Sequence, residues 1–268
     1  MSTLSLDHVS KVYRLRNGLR TSQLKAVDDV SFELDSGQTI ALVGQSGSGK
    51  STIAKLILQI ERPSAGSLTI DGHPAPRHAA GLRAYRKSVQ MVFQDPFASL
   101  NPYHTIEHHL SRPIQLHFPA LTAAQRHERV LSLLEKVRLT PGEDFAGRHP
   151  HELSGGQRQR IAIARALAPE PRILIADEPV SMLDVSIRLG VLNLLAGLQR
   201  SENLGVLYIT HDLATARHFS DEIMVMYKGR IIEHGPADEV ILHPREDYTK
   251  LLAQAAPNPE RRLQQLES

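Results

Sequence analysis
The sequence predicts an α/β fold with a parallel central sheet, on three observations. Residues 39–43, 173–176 and 206–210 are short apolar runs that do not alternate with polar residues, the pattern of strands buried on both faces. The glycine-rich segment 44–49 separates the first run from a stretch of helical period. Between 103 and 168 helix-period segments replace strand-like alternation, so a helical insert is expected inside the α/β unit.

The elements follow in chain order. Residues 4–13 and 30–34 read as strands, the second with Phe32 and Leu34 alternating, and Asp35-Ser36-Gly37 turns the chain into the run 39–43. Ile53, Leu56, Ile57 and Ile60 recur at i, i+3, i+4 and i+7, which marks one helix face against a core. Residues 68–70 form a short strand closed by Asp71-Gly72, and 89–93 another. In the insert, Val130, Leu133, Leu134 and Val137 keep the helical period. A helix carrying Leu189, Leu192 and Leu195 separates the runs 173–176 and 206–210, and 221–235 alternates around Lys228-Gly229 as a hairpin. From Pro257 the chain is a polar tail. The expected organisation is one unit, 1–256, with an α/β core and β subdomain in 1–82 and 161–246, a helical subdomain in 83–160, a C-terminal helix in 247–256 and the tail 257–268.

Composition narrows the function classes. A chain of 268 residues with 41% hydrophobic and 22% charged residues can bury a full core. It has no cysteine, which removes disulfides, cysteine-bound zinc, iron–sulfur clusters and thiol nucleophiles together. Lys+Arg 31 against Asp+Glu 29 gives a net +2, too balanced for a nucleic-acid binder that works by a strong basic field. Asp7 and Lys11 interrupt the N-terminal segment where a secretory signal needs an apolar core. The most apolar stretches, such as 161–168 around Arg165, fall short of the roughly 20 residues that span a membrane, so any membrane role is expected to go through a partner.

Gly44-Gln45-Ser46-Gly47-Ser48-Gly49-Lys50-Ser51 fits the phosphate-binding pattern G-x-x-x-x-G-K-S/T, and it lies where that pattern must lie, between a buried strand and a helix. The glycines let backbone N–H groups turn inward around phosphate oxygens, and the helix start adds partial positive charge. Lys50 would supply a full charge to the β- and γ-phosphates, and the Ser51 hydroxyl would ligate Mg²⁺. A dinucleotide fingerprint is excluded, because Thr52 stands where its third glycine belongs. The strand 173–176 runs into Asp177-Glu178, and strand C-termini of open α/β sheets face the ligand crevice. Asp177 is thus placed to hold Mg²⁺ and Glu178 to orient or deprotonate an attacking water. His211 directly follows the strand 206–210, so among 14 histidines its position singles it out for stabilising transferring charge. The pairs His149/His151 and His108/His109 lack the carboxylate spacing of a metal site.

Leu153-Ser154-Gly155-Gly156-Gln157 is a second small-residue helix start able to bind phosphate, opening the periodic segment Ile161, Ala164, Ala168. It resembles the signature of ATP-binding-cassette (ABC) ATPases, and the other motifs of that family occur in the family's order over most of the chain. The fold that this implies is a P-loop NTPase, RecA-like core with an antiparallel β subdomain and an inserted α-helical subdomain. By resemblance, Tyr13 is the aromatic that stacks on adenine, 44–51 with Thr52 the Walker A loop, Gln94 the Q-loop glutamine and a further Mg²⁺ ligand, Asp177 and Glu178 the Walker B pair, Ser181-Met182-Leu183-Asp184 the D-loop and His211 the switch histidine. The resemblance also implies a head-to-tail dimer in which Ser154, Gly155, Gly156, Gln157 and Asp184 of one subunit close over ATP held by the other.

The stretches Gln90 to Pro102, with Gln94-Asp95-Pro96-Phe97-Ala98-Ser99-Leu100-Asn101-Pro102, and Asp177 to Ile187 look like the peptide/nickel import group of this family, as does His243-Pro244 followed by Tyr248-Thr249 and Leu251-Leu252. What that resemblance implies is an ATPase subunit, ATP and Mg²⁺ as cofactors, a second cassette (copy or paralogue), two transmembrane permease subunits, an extracytoplasmic substrate-binding protein, no nucleic acid, and a peripheral place on the cytoplasmic face of the inner membrane. Rival readings are a soluble cassette acting on ribosomes or DNA, which usually needs tandem cassettes, a coiled coil or zinc cysteines; an exporter; and a regulatory partner with a dead site, although every catalytic residue type is present. Three features depart from the group's pattern. Met182 replaces the usual alanine, Gly190 sits within an expected helix, and the cluster-binding cysteines of some members are missing.

Overall fold
The computed structural model describes residues 3–17, 20–76 and 78–255. Two long strands, β1 (Thr3–Asn17) and β2 (Arg20–Asp35), pair antiparallel, and β1 pairs on its other side with β4 (Ala65–Ile70), which β5 (His73–Pro74) extends. Together they form a four-stranded sheet in the order β2-β1-β4-β5.

The second sheet has six strands in the order β10-β9-β3-β8-β7-β6, from β3 (Thr39–Val43), β6 (Val89–Val92), β7 (Ile173–Asp177), β8 (Gly205–Thr210), β9 (Glu222–Tyr227) and β10 (Arg230–Pro236). All neighbours are parallel except β10, which returns from β9 as the expected hairpin. Alternate residues of these strands feed two cores. Ile40, Leu42, Ile173, Ile175, Leu207, Ile209, Met224 and Met226 join Leu4, Leu6, Phe32 and Leu34 of the first sheet; Ala41, Val43, Leu174, Ala176, Val206 and Tyr208 face the helices on the other side. Burial on both faces accounts for the unbroken apolar runs in the sequence.

Helix α1 (Lys50–Ile57) buries Ile53, Leu56 and Ile57 in the first core. Each such side chain contributes roughly 1.5–3 kcal/mol by removal from water. Ile60 departs from the expected helix face. The helix stops at Ile57, Gln59 takes a left-handed φ of 52°, and Ile60 is 59% exposed.

Between β5 and β7, besides β6, lie α2 (Ala79–Ser88), α3 (Pro96–Ser99), α4 (Ile106–His117), α5 (Ala123–Lys136) and α6 (Gly142–Ala146), and α7 (Gly155–Leu167) leads into β7. The expected helical border at 83 needs correction. Tyr85 of α2 is buried in the core shared with the first sheet and donates to the Ile57 carbonyl at 2.5 Å, and β6 is the edge strand of the six-stranded sheet, so 83–92 belong to the α/β core. The other expected border, 160, falls inside the continuous α7. Lys136 at the end of α5 reaches Glu202 at 2.7 Å, just beyond α8 (Val185–Ser201), and ties the helical region to the core. After β8 come α9 (Leu213–Phe219), α10 (Ala237–Leu242) and α11 (Asp247–Ala255). The tail 257–268 lies outside the described residues.

Candidate active site
Parallel pairing sets the site. Val43 is level with Thr210, Asp177 with Ile209, and Val92 with Ala176, so the segments that follow β3, β6, β7 and β8 emerge at one sheet edge. Those segments carry the glycine loop, Gln94, Glu178 and His211, residues scattered over most of the chain.

The loop between β3 and α1 is held closely from outside. Gly49 has φ 116°, and a Cβ there would lie 2.3 Å from the Ala26 carbonyl oxygen, so only glycine fits. The Gly229 N–H donates to the Ser48 carbonyl at 2.8 Å, and Asp28 N–H to Gly229 at 2.8 Å, which links loop, β9–β10 turn and β2. Lys50 is buried, its Nζ donating to the carbonyls of Gly44 at 2.6 Å and Gln45 at 3.1 Å. Burial pushes its pKa down, opposed by the charges of Glu178 and Asp177. Ser48 Oγ is buried without a hydrogen-bond partner among the described residues.

Asp177 ends β7, and burial pushes its carboxyl up to about 6, with the Glu178 charge adding and Lys50 opposing. Glu178 takes a left-handed φ of 44° and so points away from the strand direction. Gln94 Nε2 donates to Glu178 Oε2 at 2.8 Å, and His211 Nδ1 lies 3.0 Å from Glu178 Oε1. One carboxylate is thus gripped by groups from two other strand ends.

These residues border a cleft of about 680 Å³ lined by Tyr13, Ser46, Gly47, Gly49, Lys50, Ser51, Thr52, Gln94, Asp177 and Glu178. Gly44, Gln45 and Ser48 lie in the same loop but outside that lining, and His211 lines an adjoining cavity that shares Glu178. The Tyr13 phenol is hydrogen-bonded to Glu61 and Thr52; burial first, then Glu61, raises its pKa. Leu24, cross-strand from Tyr13, lines the same cleft with Lys25, Ala26, Lys228 and Gly229. Sequence reasoning missed these five, although the Lys228-Gly229 hairpin was legible as a turn.

The second helix start lies elsewhere. Ser154, Gly155, Gly156, Gln157 and Asp184 do not line the cleft. Ser154 caps α7 by accepting from Gln157 N–H at 3.3 Å, and Gln157 Oε1 accepts from Ser154 N–H at 2.9 Å. A Cβ on Gly156 would come 2.7 Å from Ile187 of α8, so this glycine also lets two helices meet. Asp184 precedes α8 without a side-chain capping bond, and Met182, Val185 and Leu189 beside it are exposed.

A glycine cradle with a buried lysine, facing a strand-end carboxylate pair, is a site for nucleoside triphosphates. The chain belongs to the ABC transporter family, which its residues 27–181 match. It is 46% identical over 252 residues to the dipeptide transport ATP-binding protein DppF of Haemophilus influenzae, covering 93% of this chain and 76% of that one. It is 44% identical over 264 residues to the oligopeptide transport ATP-binding protein AppF of Bacillus subtilis, covering 97% and 79%. Among solved structures, a post-hydrolysis dimer of the ATP-binding cassette MJ0796 bound to ADP and Pi is similar, with TM-score 0.75 and 30% identity over 87% of this chain and 98% of that one. So is cbiO1 of Clostridium perfringens, part of the transporter complex cbiONQ, with TM-score 0.78, 26% identity and coverage of 99% and 98%.

Proposed function
We propose that this chain is the ATP-hydrolysing subunit of an importer for peptides, one of two cassettes that drive a pair of membrane-spanning permease subunits fed by an extracytoplasmic binding protein. The carrying observation is Glu178, held between Gln94 and His211 at the rim of the cleft above the phosphate loop. The relatives named for dipeptide and oligopeptide transport favour peptide cargo over nickel or another small solute. They also disfavour a role on ribosomes or DNA.

Adenine packs on Tyr13 with Leu24 beside it, and the phosphates lie on the loop N–H groups. Lys50 gives up the neutral carbonyls of Gly44 and Gln45 for the β- and γ-phosphates, a stronger, charge-assisted pairing. Glu178 accepts the proton of the attacking water, and His211 steadies charge on the departing phosphate. Ser51, Asp177 and Gln94 are all oxygen donors, the set a hard divalent cation takes, and Mg²⁺ beside the half-buried Asp177 would favour its ionised carboxylate, which burial and Glu178 disfavour. Bound there, Mg²⁺ would neutralise phosphate charge.

Ser154, Gly155, Gly156, Gln157 and Asp184 act on the ATP of the second cassette, which makes the working unit a head-to-tail pair. ATP touches both subunits only when they are closed, so it has the differential affinity that a conformational cycle requires. A groove of about 550 Å³ lined by Leu82, Met91, Phe93, Leu116 and His117 adjoins Gln94 through Phe93 and offers the permease a seat. No helix among the described residues is long and apolar enough to cross a membrane. As the ATP-hydrolysing partner of membrane-spanning permeases, the chain acts as a peripheral subunit on the cytoplasmic face of the inner membrane, a reading supported by relatives named as transport ATP-binding proteins.

Glu178→Gln should retain ATP binding and lower turnover by roughly 10²-fold or more, the scale of a lost general base. Phosphate release by the purified chain or complex measures this, and normal hydrolysis by the variant would remove Glu178 from the mechanism.

A further inference from the structure
The C-terminal helix touches the phosphate loop. Gln45 N–H donates to the Tyr248 hydroxyl at 3.0 Å across a sequence separation of 203. The Tyr248 ring lies 4.3 Å, centroid to centroid, from Tyr227 at the end of β9. The segment leading into α11 is fixed as well: Glu233 of β10 accepts from the N–H groups of Arg245 at 2.8 Å and Glu246 at 3.2 Å. Farther along α11, Leu252 lines the cavity that holds Glu178 and His211.

We infer that Tyr248 is a positioning residue of the nucleotide site, its hydroxyl pinning the entry of the phosphate loop through the Gln45 amide. The loop has a second anchor at its far end, where Gly229 N–H holds the Ser48 carbonyl at 2.8 Å. Between the two anchors lie Ser46 and Gly47, which line the cleft. The carbonyls of Gly44 and Gln45 are bound to Lys50 and are released when that side chain turns to phosphate. The Tyr248 bond needs no such release, so it keeps the loop entry in place while Lys50 changes partners. An anchor of this kind lowers the ordering cost of binding and therefore acts on affinity more than on the chemical step.

This inference rests on the reading of the cleft as an ATP site, so the experiment separates the two. Amide hydrogen exchange is measured on the full chain without nucleotide, together with binding of a fluorescent ATP analogue and steady-state hydrolysis, for wild type, Tyr248→Phe and Tyr248→Leu. In wild type the Gln45 amide is protected. In Tyr248→Phe that protection falls, nucleotide Kd and KM rise about threefold to tenfold, and kcat stays within about twofold, as expected for loss of one hydrogen bond. Tyr248→Leu, which also loses the ring contact with Tyr227, weakens binding at least as much. An unprotected Gln45 amide in wild type overturns the inference even if both variants misfold. So does wild-type protection and affinity in Tyr248→Phe. Failure of wild type to bind the analogue overturns the ATP reading instead, while the exchange data still decide the anchor.

Discussion
Gly49 joins a left-handed backbone to a close approach by the Ala26 carbonyl, and the cleft depends on both. Gly49→Ala should therefore abolish nucleotide binding and destabilise the chain by more than the usual 1 kcal/mol or so for glycine replacement, because carbonyl and loop must separate. Calorimetric titration with ATP and a thermal melt test this, and a variant that binds normally would show that the loop opens without cost. Residues of this sort are legible in sequence because a phosphate cradle constrains neighbours in the chain: Gly44 to Ser51, then Asp177-Glu178 at a strand end. Leu24 and Lys228 were not legible as cleft residues, nor Tyr248 as a partner of the loop, since each arrives through pairing or packing between distant segments, and hydrophobic period marks which face is buried without naming its partner.

At the scale of the element, α8 and α4 make separate predictions. Gly190 lies within α8 and, apart from its chain neighbours and the nearby backbone of that helix, no atom among the described residues lies within 4 Å of the place a Cβ would take, so Gly190→Ala should stabilise the chain by about 0.5–1 kcal/mol, read from the urea midpoint. His109 of α4 has its Nε2 2.9 Å from the Asn101 carbonyl. Burial pushes its pKa below the ordinary 6.5; the Asn101 carbonyl opposes this, and Arg165, His108 and His104 reinforce it. The unfolded chain then binds the proton more readily, so this group's contribution to stability is present above pH 6.5 and fades as pH falls below it. His109→Gln should lose less stability than wild type between about pH 7 and pH 5 in urea titrations. Strands were easier to read than borders. The apolar runs of β3, β7 and β8 carry their own signature, whereas the place of α2 and β6 in the core rests on Tyr85 and on edge pairing to β7, which local pattern does not reveal.

At the scale of the whole molecule, the described residues hold the phosphate cleft and, away from it, a helix start of matching chemistry at Ser154. If the second serves a partner's cleft, two differently broken chains should repair each other. Lys50→Ala destroys the cradle, and Ser154→Arg fills the place of the partner's phosphate. Either variant alone should hydrolyse ATP poorly, while an equimolar mixture should recover a substantial fraction of wild-type rate through one intact composite site. A mixture no faster than the sum of its parts would refute the head-to-tail pair. The signature's chemistry was legible in sequence, and the family resemblance already implied that it serves another chain's ATP; the packing that holds it there, α7 against α8 through Gly156 and Ile187, was not legible.

The chain of contacts from Ser48 through Gly229 to Asp28 on β2, with Ala26 pressed on Gly49, has a mechanical meaning. The strand that carries Leu24 opposite Tyr13 is the same strand that braces the phosphate cradle. The Tyr13 ring and the glycine loop are therefore tied to each other through one strand. A substitution in β2 that moves Ala26 or Asp28 should therefore be felt at the glycine loop, far along the chain from where it was made.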